Sequence, residues 1–250
     1  MTDIAKLFDL SGKVALVTGG SRGLGREIVL GFARAGADVC ITSRKQEGCD
    51  AVAREVQALG RRAHAFACHV GHWRELPRLV EAAYDAFGRI DILVNNAGMS
   101  PLSPSLAEIS EDLFDKVIGV NFKGPFRLST LIAPRMVAAG GGAIINVSST
   151  AALRPTPRTM PYCAAKAALN AMTVALAYEY GPTVRANVVS PGPFLTDVAQ
   201  HWSPERRGPR TNAAGRVGNP EEIVTSALYF ASHASSYTTG ALLCVDGGLP

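Results

Sequence analysis

Short runs of β-branched and apolar residues alternate with longer stretches of helical period along the whole chain, and that alternation limits the fold more than any other feature. Residues 14–18, 38–42, 64–68, 91–94, 143–147, 184–189 and 241–245 read as seven strands. Between them, helices are expected over 23–35, 45–59, 73–87, a long tract 111–139, a segment ending near 180, and 221–231. Strands of about five residues joined through helices cannot pair as hairpins; they demand crossovers and a parallel sheet covered on both faces. The expected fold is therefore α/β, a doubly wound, Rossmann-like parallel sheet of seven strands with helices on both faces. No internal repeat, low-complexity tract or Pro/Gly-rich linker breaks the pattern, so residues 1–250 are read as a single domain.

In such sheets ligands bind outside the carboxyl ends of the strands, where the strand order reverses. The loops at those ends read TGGSRGLG, TSRKQ, CHV, NNAG, SST and SPGPFLT, and the unusual chemistry of the chain lies in them. The first, Thr18 to Gly25, follows a strand and opens a helix. Gly19, Gly23 and Gly25 permit positive φ and close backbone approach. The helix start after Ser21, Arg22 and Leu24 offers free N–H groups and the positive dipole end to a pyrophosphate. The spacing is G-x-x-x-G-x-G, and taken alone it also suits a tight strand-to-helix connection.

Tyr162 and Lys166 stand four apart at the head of an alanine-rich helix, which stacks them on one face one turn apart. Free tyrosine, with a pKa near 10, is a poor base at neutral pH. A cation about 4 Å away at an effective dielectric of about 20 contributes roughly 4 kcal/mol, or about 3 pK units. Desolvation opposes part of that, and the expectation is an acid–base phenol titrating at roughly 7 to 8, where general catalysis works well.

Taken together, TGGSRGLG at 18–25, NNAG at 95–98, Asn121, Ser149, YCAAK at 162–166, SPGPFLT at 190–196 and VDGG at 245–248 make the chain resemble the single-domain short-chain dehydrogenase/reductases along nearly its whole length. Ser149 precedes Tyr162 by thirteen positions, as the catalytic serine of that family does. The resemblance implies a catalytic set of Asn121, Ser149, Tyr162 and Lys166. Tyr162 is the general acid/base, Lys166 its cation and a ribose ligand, Ser149 the holder of the substrate oxygen, and Asn121 the anchor of a relay water. It implies a coenzyme wall of Asn95, Ala97 and Gly98, and nicotinamide contacts at Pro191, Gly192, Phe194 and Thr196. It also implies a substrate-covering segment at about 193–216, where Trp202 and Arg206 to Arg210 fall, and a homotetramer or homodimer joined through the helices of Asn121 and Tyr162. The small face Ala164, Ala168, Ala171, Ala175 suits close helix approach, and packing within the chain explains it too.

Two places depart from the family pattern. Where an aspartate commonly accepts from the adenine amino group, this chain has His69, followed by Val70. A neutral imidazole can accept, and the ring can stack on adenine; a solvent-facing histidine is the alternative. The basic residues that carrier-dependent ketoacyl reductases place beside the site are replaced by Gly140-Gly141-Gly142 and Gly181-Pro182-Thr183, with Arg135 and Arg185 near in sequence.

Coenzyme choice is read from the second strand end. An NAD site needs a carboxylate there for the ribose 2′-hydroxyl. The chain instead has Ser43, Arg44 and Lys45, with no acid before Glu47, and Arg22 is expected to face the same ribose. Guanidinium groups suit a 2′-phosphate, so NADP(H) is the expected coenzyme, with NAD(H) second. Cations are mildly unfavourable at a helix start, which makes a merely decorative role for Arg44 and Lys45 harder to defend.

Composition narrows the partners. At 47% hydrophobic and 18% charged residues, the chain has the make-up of a filled core rather than of disorder. The net charge of +4 is spread without a basic stripe, which argues against nucleic acid. No apolar run approaches the length of a spanning helix and the N-terminus lacks a secretory pattern. Five unpaired cysteines point to a reducing, cytoplasmic setting. His69 and His72 lack nearby cysteines, so no metal site is expected. The expected activity is interconversion of a small-molecule ketone and secondary alcohol. The alternatives are a 3-oxoacyl-[acyl-carrier-protein] reductase and, from another class, a non-catalytic nucleotide-binding regulator.

Overall fold

The structure, a computed structural model, describes residues 3–197 and 212–249. It contains a seven-stranded sheet: β1 Val14–Thr18, β2 Asp38–Ser43, β3 Ala63–Ala67, β4 Ile92–Asn95, β5 Gly142–Val147, β6 Val184–Pro191 and β7 Leu242–Val245. All neighbours pair in parallel, in the order β3-β2-β1-β4-β5-β6-β7. The order reverses between β1 and β4, which opens a crevice at their carboxyl ends.

The period-2 geometry of each strand divides the core into two layers. In β1, Ala15 and Val17 pack under α2 (Gly23–Arg34), α3 (Gln46–Ala58) and α8 (Val224–Ala231), with Ile28, Phe32, Val52 and Phe230. Leu16 faces the other way, with Leu79 of α4 (Leu76–Phe87), Leu128 and Ile132 of α6 (Gly124–Ala138), and Leu169 and Leu176 of α7 (Met160–Tyr180). A short α1 (Ile4–Leu7), capped by Asp3, precedes the sheet and was not anticipated. At one sheet edge the Gln46 side chain stands in for a missing strand: its Nε2 donates to Ala65 O (3.1 Å) and its Oε1 accepts from Ala67 N (2.9 Å).

Three expected helices differ. The one expected over 221–231 opens with a 3-10 turn at Pro220–Ile223 and becomes α-helical at Val224. The one expected over 73–87 starts at Leu76, with Pro77 in its first turn; Trp73 instead stacks on Phe126 at 6.2 Å, under Arg127. The tract 111–139 is not one α-helix. It is α5 (Glu111–Ile118), a π turn at Gly119–Lys123, and α6. Asn121 causes the widening: its Nδ2 donates to Val117 O at 2.9 Å, taking the carbonyl that a regular turn would give to its own backbone N–H. No helix of the described residues is long and apolar enough to cross a membrane.

Candidate active site

At the β1–α2 turn, Gly19 and Gly23 hold φ of 66° and 54°, which only glycine adopts without strain. Arg22, at the N-cap of α2, makes no side-chain capping bond, so the first N–H groups of the helix stay free for an anion. Leu24 packs on the core behind. A Cβ on Gly25 would run into Gly19 O and the Asn96 side chain. Asn96 is a residue the sequence reading passed over. Its Nδ2 donates to Thr18 O (2.9 Å) and Gly19 O (3.3 Å), while its own N–H and that of Ala97 donate to Thr18 Oγ1 at 3.0 Å. The repeated Asn in NNAG was the available signal. Asn95 points the other way, is fully buried, and donates to Ser129 Oγ (3.2 Å) and Asn146 Oδ1 (2.8 Å). These bonds turn its side chain into the core, away from the crevice. The cradle of positive-φ glycines and uncapped helix N–H groups fits a dinucleotide pyrophosphate.

On the β2 side, Ser21 Oγ donates to Ser43 Oγ at 2.9 Å, and Arg44 is exposed beside them. Arg22 Nη1 lies 3.9 Å from Asp197 Oδ2, in an exposed pair with the loop after β6. After β3, Val70 is buried, and the His69 ring stacks on His72 at 4.3 Å and accepts at Nδ1 from Gly71 N at 3.2 Å. Burial, then His72 and Arg44, hold the His69 pKa below its ordinary value, with Glu75 opposing.

On the other side of the crevice, β5 ends at Val147 and the extended Ser149 follows, its Oγ accepting from Ala151 N at 3.1 Å. Tyr162 is the third residue of α7 and Lys166 follows one turn on, with Nζ 5.8 Å from the Tyr162 ring centroid. Lys166 is 3% exposed and donates to Val147 O at 2.7 Å. Burial pushes its pKa down to about 7. Burial also raises the Tyr162 phenol; Ser149 pulls it partly back and Cys163 adds to the rise. The expected phenol lowered to between 7 and 8 is thus corrected for the free protein. Lys166 is committed to a carbonyl, with its Nζ 5.8 Å from the ring centroid, and burial outweighs the Ser149 hydrogen bond.

Asn121 is wholly buried in the π turn, with Nδ2 donating to Met99 O (2.9 Å) and Oδ1 accepting from Met99 N (3.3 Å). Gly98 lies between it and the lysine: a Cβ there would sit 2.9 Å from Asn121 Oδ1 and 3.7 Å from Lys166 Nζ. Beyond Pro191, Gly192 N donates to Val245 O (3.0 Å), Phe194 is buried and bridged to Gly218, and Thr196 approaches Gly23. The loop after β6 therefore closes onto the phosphate loop. Of the segment expected over 193–216, Trp202 and Arg206 to Arg210 lie outside the described residues. Its flanks are tied down, by Leu195 N to Gly218 O (2.8 Å) and by Ala214 N to Gly247 O (2.8 Å).

Both arginines near the missing basic pair are committed elsewhere. Arg135 pairs with Glu81 at 2.7 Å and covers Tyr84. Arg185 donates to Phe230 O, Ser232 O and Ser235 Oγ. The cysteines are unpaired and Cys163 is packed. Asn146, in a glycosylation-type triplet, is buried in the network with Asn95 and Thr173.

Known proteins carry the same frame. The short chain dehydrogenase family pattern matches residues 13–207. An uncharacterized oxidoreductase of Mycobacterium tuberculosis is 41% identical over 251 residues, spanning 98% of this chain and 95% of that one. A solved 7α-hydroxysteroid dehydrogenase, complexed with NADH and 7-oxoglycochenodeoxycholic acid, is 33% identical with a TM-score of 0.94, covering 99% of this chain and 98% of its own. A 3-oxoacyl-(acyl-carrier-protein) reductase of Agrobacterium tumefaciens C58, solved with NADP bound, is 32% identical with a TM-score of 0.94 and the same coverage.

Proposed function

The chain belongs to the short-chain dehydrogenase family, and on that premise we propose that it interconverts an apolar-flanked ketone and its secondary alcohol, using NADP(H). The observation that carries the reading is the Tyr162–Lys166 pair on one helix face, the lysine buried and the tyrosine half-buried, with Ser149 beside the phenol. Gly19, Gly23 and the α2 start would hold the coenzyme's pyrophosphate, Ser43 and Arg44 its 2′-phosphate, and Lys166 its ribose. When bound, the coenzyme supplies or accepts the hydride. Ser149 orients the substrate oxygen, and Tyr162 gives that oxygen a proton in reduction or takes one in oxidation. Burial raises the phenol's pKa, which favours the protonated form that donates in reduction.

Substrate class is inferred from the rim. Leu102, Leu106, Leu153 and Leu195, in the loops after β4, β5 and β6, and Met160 at the start of α7 are exposed apolar side chains. Ser103 and Arg158 tie two of those loops together, with Ser103 N donating to Arg158 O at 2.9 Å and Arg158 Nε donating to Ser103 O at 3.2 Å. A rim of this kind suits a hydrocarbon-flanked carbonyl over a sugar. A carrier-linked 3-oxoacyl substrate is the second reading, favoured by the similarity to the Agrobacterium tumefaciens reductase. It is disfavoured by the commitments of Arg135 and Arg185. The outward face of α7, with Ala171, Val174, Ala175 and Tyr178 exposed, supports assembly through that helix into a dimer or tetramer. The free cysteines support a cytoplasmic setting. The deciding experiment is NADPH consumption across apolar ketones, sugars and acyl thioesters. The reading requires turnover fastest with apolar ketones; fastest turnover with carrier thioesters selects the second reading. No turnover with any carbonyl returns the chain to the class of nucleotide-binding regulators.

A further inference from the structure

The peptide that joins Val147 to Ser148 is fixed at both of its polar ends. Its N–H, on Ser148, donates to Val189 O of β6 at 2.8 Å, and its carbonyl, on Val147, accepts from Lys166 Nζ at 2.7 Å. The Ser148 hydroxyl then donates to the backbone carbonyl of Lys166 itself, at 3.2 Å. One dipeptide at the end of β5 therefore holds the lysine twice, at its root through Lys166 O and at its tip through Nζ. Ser148 and Lys166 are both buried, so water does not compete for either bond. Lys166 O lies inside α7, where the backbone N–H of Asn170 is its regular partner. A carbonyl has a second lone pair, and the hydroxyl takes it, so the helix does not need Ser148 in order to form. What the bond adds is a fixed origin for a long side chain that would otherwise keep much of its rotamer freedom.

Ser148 and Ser149 are neighbours in extended backbone, which turns successive side chains to opposite faces. Ser149 reaches the Tyr162 phenol, and Ser148 reaches the helix that carries Tyr162 and Lys166. We propose that Ser148 is a positioning residue. By pinning the root of Lys166 to the strand end that also carries Ser149, it keeps ammonium, phenol and serine hydroxyl in one arrangement for proton transfer to the substrate oxygen. The inference rests on the catalytic reading of Ser149, Tyr162 and Lys166 given above.

The fold supplies its own control. Two residues back along β5 and two turns on along α7, Asn146 Nδ2 donates to Thr173 Oγ1 at 2.8 Å, an equally buried bond between the same two elements that does not involve Lys166. The test is kcat and KM for the best ketone, with Tm, in the parent, Ser148→Ala and Thr173→Val. Ser148→Ala should lower kcat by about five- to tenfold, the value of one neutral hydrogen bond, with the ketone KM within about twofold of the parent's. Thr173→Val leaves Asn146 Nδ2 without its acceptor, so it should lose at least as much Tm while kcat stays within about twofold. A Ser148→Ala protein with kcat within about twofold of the parent, or a Thr173→Val protein that loses kcat as steeply, overturns the inference and leaves the functional reading intact. A parent that turns over no ketone overturns both.

Discussion

The ends of β1, β2 and β3 and the ends of β4, β5 and β6 lie side by side on one sheet edge, yet they hold charge in opposite ways. On the first side the cations are in water: the Arg22 side chain is 65% exposed and its partner Asp197 is 47% exposed. On the second, Lys166 is 3% exposed and Asn121 and Asn146 are wholly buried. A buried cation is expensive, and here it is held by the Val147 carbonyl, while Asn95, Asn146 and Thr173 form a buried network on the same side of the sheet edge. Exposed cations contribute little stability and reorient freely. On the proposed function, chemistry falls to the buried side and coenzyme choice to the exposed side. Substitutions should therefore fall into two classes, large effects on turnover and modest effects on which coenzyme binds.

The largest effect expected is at Tyr162. Tyr162→Phe removes the proton donor and leaves the ring packing, so kcat should fall by about 10²–10⁴-fold, with coenzyme Kd little changed. Turnover within a few-fold of the parent would break the comparison on its buried side.

Lys166→Met should also abolish turnover, and its stability carries a sign that can be worked out. The folded pKa is about 7, against an ordinary lysine value of 10.5. Below about pH 7 both states are protonated and the fold bears the whole burial penalty; above about 10.5 both are neutral and the penalty is gone. The parent should therefore gain stability relative to Lys166→Met as pH rises from 7 to 10. The gain should reach at least about 1.4 kcal/mol, or roughly 2–4 °C in Tm for a chain of this size. A Tm difference that stays flat across that range would show that the ammonium is not desolvated.

On the exposed side the effects shrink. Unmodified protein should prefer NADPH to NADH by about tenfold in kcat/KM, roughly 1.4 kcal/mol. Ser43→Asp with Arg44→Ala should reverse it by removing the cation and supplying an acceptor for the 2′-hydroxyl. Equal use of the two coenzymes by the parent would remove Ser43 and Arg44 from specificity. The smallest effect is expected at Asp197. Asp197→Ala frees Arg22 from an exposed pair worth about 0.2–1 kcal/mol, so NADPH should bind up to about fivefold tighter and NADH unchanged. A similar gain for both would mean that Arg22 meets the pyrophosphate instead.

Periodicity and glycine spacing made the frame legible before any coordinates. β1 matches its expected span at both ends, and β3 and β4 are shifted by one residue. Tyr162, Lys166 and Ser149 converge as the motif spacing required, because a helix and a strand end leave little freedom in where those side chains stand. What the pattern could not carry was direction. Whether Asn95 or Asn96 faces the crevice, and which acid pairs with Arg22, are decided by neighbours remote in sequence. The π turn was equally hidden, since a single Asn competing for a backbone carbonyl leaves the apolar periodicity of 111–139 almost untouched.

The division of labour along the edge is tested most directly by measuring kcat with the best ketone, and Kd for NADPH and NADH, side by side in Tyr162→Phe and in the Ser43→Asp, Arg44→Ala double variant. The account predicts that Tyr162→Phe loses kcat by at least about a hundredfold with both Kd values within about threefold of the parent. It predicts that the double variant inverts the Kd ratio and keeps kcat, with NADH, within about threefold of the parent's value with NADPH. A Tyr162→Phe protein that loses coenzyme affinity as steeply as turnover, or a double variant that loses turnover without changing its coenzyme, would contradict it.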